Sequence, residues 1–155
     1  MPTAQVIHKT WGEFTPDEVF EMAVLRSEVF FLEQKIDEEE FDAIDRDPHT
    51  RHLWIADEEG MAAYLRLVHN PEAAPRHDGI ADSVGRMVVL KSARGRGLAQ
   101  ELMARALELA GDKPLYLHAQ DYVTGLYEKF GFERRGELFQ EAGIPHILMV
   151  RYPDA

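Results

Sequence analysis

The chain contains no cysteine. That absence removes disulfides, thiolate metal sites and cysteine nucleophiles, and makes a reducing, cytoplasmic setting the natural expectation. Long apolar runs are missing too. No stretch approaches 18 consecutive apolar residues, and the opening MPTAQVIHKTWGEF has no apolar core of signal-peptide length, so neither a membrane span nor export is expected. Positive charge is scarce: Lys and Arg total 17 against 28 Asp and Glu, a formal net charge of −11. Gripping nucleic acid or anionic lipid requires a basic face that neutralises phosphates, so neither is an expected partner. The one basic turn, RGRG, is too short to change that reading.

What is present suits one ordinary folded unit. The 155 residues are 45% hydrophobic and 29% charged, with no repeat or low-complexity run, and read as a single domain over 1–155. A chain of this length buries roughly 70% of its unfolded surface without needing a staple. Gln5 to Thr10 carries β-formers. Thr15-Pro16-Asp17-Glu18 is a helix start, with a capping threonine, a proline at the first helical position and a glutamate placed to bond back. The spacing predicts a helix running to Gln34 with Met22, Leu25 and Val29 on its buried face. Strands are expected over His52–Ala56 and Met61–Val68, joined by a Gly60 turn, and again over Ser83–Leu90 beyond a loop from Asn70 to Asp82. Leu98–Ala110 is strongly amphipathic, its stripe being Leu98, Leu102, Ala106, Leu109 and Ala110. A strand over Leu115–Ala119, a helix over Tyr122–Phe130 closed by Gly131, and strands over Glu133–Phe139 and Pro145–Tyr152 complete the chain. This order predicts a mixed α/β layer fold.

The chemistry concentrates in Val88–Ala99, VVLKSARGRGLA, where a strand feeds a turn that opens a helix. Gly95 and Gly97 leave backbone N–H groups unscreened, the helix N-terminus adds partial positive charge, and Arg94 and Arg96 add full charges, which together make a phosphate cradle. The plain alternative is a glycine-punctuated turn with exposed arginines. A mononucleotide P-loop needs GxxxxGK followed by Ser or Thr, and no such string exists. A dinucleotide fingerprint needs a third glycine where this chain has Gln100, which weighs against a dinucleotide-dependent oxidoreductase. What remains is R-x-x-G-x-A, spelled by Arg94, Gly97 and Ala99, and 33 residues after Arg94 stands Tyr127, four before Gly131-Phe132.

These two motifs, in this order and context, resemble the GNAT N-acetyltransferases over nearly the whole chain. A narrower likeness lies in Val29-Phe30-Phe31-Leu32-Glu33-Gln34, Asp42 and Asp45, Ala119-Gln120, and Gly143-Ile144-Pro145-His146, which is similar to the ElaA-like branch. Two positions depart from the commoner family pattern: Gln120 stands where an asparagine often precedes the tyrosine, and Val123 where an alanine does. The resemblance implies a central, mostly antiparallel twisted sheet flanked by helices, with acetyl-CoA as co-substrate and no metal. It implies that the backbone of Arg94, Gly95, Arg96, Gly97, Leu98 and Ala99 binds the pyrophosphate and that Met87, Val88 and Val89 pair with the pantetheine arm as a further strand would. It also implies Tyr127 as general acid toward the departing thiolate and an oxyanion contact from an N–H near Val89.

The general base stays open among Glu33 at the end of the first long helix, His118 on the strand before Tyr127, His146 on the last strand, and a water chain ending on no single base. With no cysteine, and no serine beside a plausible base, direct attack by a primary amine in a ternary complex is the expected route. A non-catalytic acyl-CoA-binding sensor or interaction module is the alternative, and Tyr127 favours the enzyme because a binder does not need it. Glu33–Asp47 carries eight carboxylates (Glu33, Asp37, Glu38, Glu39, Glu40, Asp42, Asp45 and Asp47) against Lys35 and Arg46, a net −6. It reads either as a solvated acidic loop or as an electrostatic funnel for a cationic small-molecule or peptide acceptor. Asp45, Asp47, His49 and His52 match no zinc spacing. An exposed last strand would permit a homodimer.

Overall fold

A computed structural model describes residues 5–153. Strand β1 covers Ile7–Lys9, shorter than the Gln5–Thr10 expectation. Helix α1, Pro16–Arg26, starts as its sequence dictates: Glu18 N donates to Thr15 Oγ1 at 3.2 Å, and Thr15 N donates to Glu18 Oε1 at 2.9 Å. It does not continue as an α-helix to Gln34. Ser27–Glu33 widens into a π-helix, in which Gln34 N reaches back to Val29 O. In an unbroken α-helix Leu32 would lie about 20° from Leu25 on the buried face. The wider turn rotates Leu32 outward, where it is 57% exposed, and brings Glu33 and Gln34 to the interior of a cleft.

The remaining strands are β2 (Arg51–Asp57), β3 (Gly60–His69), β4 (Asp82–Val89), β5 (Leu115–Gln120), β6 (Glu133–Glu141) and β7 (Ile144–Arg151). They form one seven-stranded sheet in the order β1-β2-β3-β4-β5-β7-β6. Every pairing is antiparallel except β4 with β5, which share only Ser83 opposite Tyr116. Helix α2, Leu98–Ala110, has the expected bounds, but its buried residues are Leu98, Leu102, Met103 and Ala106, with Leu109 and Ala110 only partly covered. Helix α3 is just Thr124–Glu128, because Asp121–Val123 folds as a 3-10 turn and Lys129 ends the helix. The Asn70–Asp82 loop also contains a 3-10 turn, Pro71–Arg76.

The two-residue period of the strands sends alternate side chains to opposite faces. Leu53, Ile55 and Leu65 pack with α2, whereas Trp54 and Tyr64 pack with Met22, Leu25 and Val29 of the first helix. Into that second layer the chain inserts charge. Arg26 is fully buried and bonds Asp45 at 2.7 Å and Glu40 at 2.7 Å. Arg66 bonds Asp42 at 2.8 Å and Asp45 at 3.0 Å, and Arg86 reaches Glu40 at 3.2 Å. The acidic stretch is therefore not simply a solvated loop. Three of its carboxylates tie the segment to three arginines, and Asp45, in a 3-10 turn over Ala43–Arg46, is only 2% exposed. Burial alone would raise the Asp45 carboxyl, but the bonds from Arg26 and the neighbouring Arg66 outweigh it and hold the group below its ordinary value.

His52 completes this network. Its Nε2 lies 2.9 Å from Asp45 O, a carbonyl that can only accept, so Nε2 carries the proton and Nδ1 accepts from Tyr64 Oη at 2.6 Å. Burial pushes His52 down to about 4. Asp45 and His52 are thus engaged with arginines, a tyrosine and a carbonyl, while Asp47 and His49 pair with each other at the surface.

At the other end of the sheet, β6 and β7 are joined by Ala142-Gly143, both with positive φ (53° and 76°), and Glu141 stands opposite Ile144. A two-residue turn of this hand suits the strand twist, but an alanine in it is strained.

Two outcomes follow for stability. His52 binds a proton more readily unfolded than folded, so its contribution is complete above about pH 6.5 and falls as pH drops toward 4, by about 3 kcal/mol in all. Urea midpoints from pH 7.5 to 4.5 should show that decline, and Asp42 and Asp45 should add a further loss below about pH 4. Ala142→Gly should stabilise by roughly 0.5–1 kcal/mol, net of glycine's greater unfolded entropy, raising Tm by about 1–4 °C.

Candidate active site

Because β4 and β5 share one paired position, they diverge beyond Ser83 and Tyr116 and open a cleft of about 700 Å3 between them. One wall is β4 from Val84 to Val89, the other is Leu117, His118 and Gln120 of β5 with Tyr127 of α3. The floor of the cradle is Ala93–Gly95 and Gly97–Gln100. Glu33 and Gln34 from the π-helix, Glu38–Glu40 from the acidic segment, and Glu141 and His146 from the β6-β7 hairpin close the far side.

The cradle has the form its sequence suggests. Gly95 and Gly97 have φ of 85° and 76°, left-handed conformations that side chains resist. Gly97 is the N-cap of α2 and offers no capping side chain, so the first-turn amides are free to meet an anion. An added Cβ at Gly95 would meet nothing within 4 Å, which leaves open room over the loop. These features fit a pyrophosphate.

On β4, Leu90 N bonds Ala62 O across to β3, whereas Val89 O turns the other way and accepts from Arg94 Nε at 3.1 Å. In an extended strand the N–H and C=O of one residue point to the same side, so Val89 N–H faces the cleft. A β-bulge sits just before it, with Arg86 and Met87 together opposite Leu65 and Arg86 at φ 52°. The bulge aims the Arg86 side chain at Glu40.

The candidate proton-transfer groups differ sharply in their surroundings. Glu33 makes a bidentate pair with Arg94, at 2.8 and 2.7 Å, and that bond holds its carboxyl below the usual range. Tyr127 lines the cleft without a hydrogen-bond partner among the described residues, and burial pushes its hydroxyl up to about 12, so it stays protonated near neutrality. His118 Nδ1 lies 3.0 Å from Glu141 Oε1, and its Nε2 lies 3.1 Å from His77 Nε2. Gln120 Nε2 donates to Gln34 Oε1 at 3.4 Å, and Tyr122 Oη donates to Gln120 Oε1.

Of the residues that the sequence offered for cofactor binding or proton transfer, the structure gathers all around one cleft except Arg96, whose guanidinium turns to Asp57 at 3.5 Å and is not among the lining residues. Sequence reasoning missed Glu141 and Arg86. The first sits in a hairpin that carries no Asn-Gly or Asp-Gly signal, and the second is aimed by a bulge that has no sequence signature.

The profile described as an acetyltransferase (GNAT) domain matches residues 12–152. The chain belongs to the GNAT acetyltransferase family. Protein ElaA of Escherichia coli K12 is 33% identical over 146 residues, spanning 90% of this chain and 91% of that relative. The crystal structure of E. coli ElaA superposes with a TM-score of 0.86 at 28% identity over 96% of this chain and 99% of that one. A crystal structure of an acyl-CoA N-acyltransferase from Pseudomonas aeruginosa superposes at 0.84 with 37% identity, again over 96% and 99%. The likeness covers the ElaA-like branch, as Val29–Gln34 and Gly143–His146 indicated. Membership makes the coarse activity acyl transfer with an acyl-CoA co-substrate.

One outcome follows from the Glu33 pair. If that carboxylate anchors Arg94 and is not the base, Glu33→Gln should lower kcat/KM less than about fivefold and leave its pH profile unchanged, as measured with any amine the protein acylates.

Proposed function

We propose that this protein is an acetyl-CoA-dependent N-acetyltransferase that acts on a primary amine by direct attack in a ternary complex. The observation that carries the reading is Tyr127: a protonated hydroxyl without a protein partner among the described residues, on a largely buried side chain that lines the same cleft as the glycine cradle and the free edge of β4. A binding module needs the cradle but has no use for a proton donor placed in the cleft.

In this reading the first-turn amides of α2 and the backbone of Arg94–Ala99 hold the pyrophosphate, and Met87–Val89 pair with the amide-bearing arm. The Val89 N–H stabilises the carbonyl oxygen as it gains charge. Tyr127 donates to the departing sulfur. A hydroxyl near 12 is a weak acid beside a thiol of about 8.5, so its main service is a hydrogen bond that strengthens as charge develops.

The acceptor would be cationic. Asp37, Glu38 and Glu39 form no ion pair among the described residues, and Glu38 and Glu39 line the cleft together with Glu141. The field of the acidic segment is smaller than its net −6 suggests, because Glu40, Asp42 and Asp45 are already matched by arginines. Raising salt should therefore raise KM for a cationic amine several-fold and leave that for acetyl-CoA less affected.

Tyr127→Phe should lower kcat about 100-fold while the acetyl-CoA Kd by calorimetry changes less than threefold. Equal turnover in that variant removes the donor role. Thermal shift with acetyl-CoA, CoA and NADH separates the cradle from a dinucleotide site: at ~100 times Kd a native-state ligand adds about 2.7 kcal/mol, roughly 5–10 °C here. A shift with NADH alone would overturn the assignment.

A further inference from the structure

Four groups, His146, Glu141 and His118 on the cleft wall and His77 behind them, form a chain of polar contacts. His77 Nδ1 is 2.8 Å from Ala73 O, a carbonyl that only accepts, so Nδ1 carries a proton. Burial lowers the proton affinity of His77, which leaves its Nε2 as a bare acceptor. His118 Nε2 lies 3.1 Å away and is closed off by that contact. The other nitrogen of His118 faces Glu141 Oε1 at 3.0 Å, and the hydrogen bond from His118 holds that carboxyl below its usual range, so it accepts as well. Both ring nitrogens of His118 are therefore engaged, one by Glu141 and the other by His77, which leaves neither free to serve an incoming amine.

His146 is set the opposite way. Its Nδ1 lies 2.7 Å from Ile144 O, which fixes the proton there. In the neutral ring Nε2 is then the acceptor; it faces Glu141 Oε2 at 3.5 Å, without another partner among the described residues. Two acceptors that close, on a cleft wall, form a notch that only a donor-rich group or an added proton satisfies. The ring itself is buried beside Phe139, its centroid 6.0 Å away. The charged and titratable groups around it are Glu141 on β6, His118 on β5 and, across the cleft, Arg86 on β4, while its paired neighbours Gln120 and Phe139 are uncharged.

We propose that His146 Nε2 receives the acceptor amine's proton and that Glu141, held on its other oxygen by His118, is the positioning residue that stabilises the imidazolium so formed. The proposal rests on the acyltransferase reading above. The primary ammonium approaches with three donors toward Nε2 and the carboxylate and gives one proton to Nε2. Its nitrogen lone pair then attacks the thioester carbonyl carbon, the C–N bond forms and the C–S bond breaks. The sulfur leaves hydrogen-bonded to Tyr127 Oη and takes up the second proton that leaves nitrogen. The proton on His146 passes to solvent along the hydrated side of Glu141. Glu33, bonded to Arg94, has no part in this path.

The test has two arms. In the first, long-range proton–nitrogen correlation spectra of 15N-histidine-labelled protein, assigned with His→Gln variants, should show the neutral His146 ring as the Nδ1–H tautomer. Finding the neutral His146 ring as the Nε2–H tautomer overturns the proposal. In the second, kcat/KM is followed against pH with acetyl-CoA and putrescine, spermidine, tyramine and a lysine peptide. His146→Gln should lower kcat/KM about 100-fold at pH 7 and abolish the ascending limb. Glu141→Gln should move that limb to lower pH by about one unit, because the imidazolium loses its counter-charge. Acetyl-CoA Kd should be unchanged in both. An active wild type whose limb persists in His146→Gln overturns this role alone. A wild type that binds acetyl-CoA and acylates none of the four amines overturns the transfer reading and this role with it.

Discussion

Parallel pairing between β4 and β5 is limited to one position, and the shape of the molecule depends on it. Two parallel strands in mid-sheet would ordinarily stay paired along their length, since an unpaired strand edge in the interior leaves amides and carbonyls without partners. Here the strands part after Ser83 and Tyr116, held apart by α2 packed under one side and the hairpin of β6 and β7 attached to the other. In the proposed reading the unpaired edge of β4 is the binding surface, its polar backbone being what an amide-bearing ligand can satisfy. A more complete sheet would have no cleft.

Separated strands need a rim, and the chain builds it from charge. The segment between the π-helix and β2 has few apolar residues with which to pack, so its place is set by Arg26, Arg66 and Arg86 acting on Glu40, Asp42 and Asp45. Breaking one member of a buried set of this kind is costly because the remaining charges stay desolvated. Arg26 issues from the last turn of α1, just before the π-helix, so one element both anchors the rim and, a few residues later, presents Glu33 and Gln34 to the cleft.

Much of this was legible in the residues. Threonine, proline and glutamate at 15–18 announce the first helix, the apolar period of 98–110 announces the second, and Gly95 with Gly97 announces the anion-binding turn. Other features have no local signature. The π-helix keeps the apolar spacing of an α-helix through Val29, and only tertiary packing decides that Leu32 leaves the core. Arg86 looks like a strand residue, and its positive φ is imposed by the register of β3 with β4. The acidic run reads as solvated because its partners lie on three other elements, two of them far along the chain. Ala142-Gly143 gives no strong turn signal, so Glu141 reads as loop although it ends a strand.

The shortness of that hairpin has a geometric meaning. Glu141 and His146 are on different strands, and the number of residues between them determines which face each presents, since a strand shifted by one position turns every side chain over. Loops are ordinarily where chains lengthen most freely during descent. This one works as a gauge block between two side chains: its two positive-φ positions restrict which residues fit, and a register shift of one residue in β6 would turn the carboxylate to the opposite surface of the sheet.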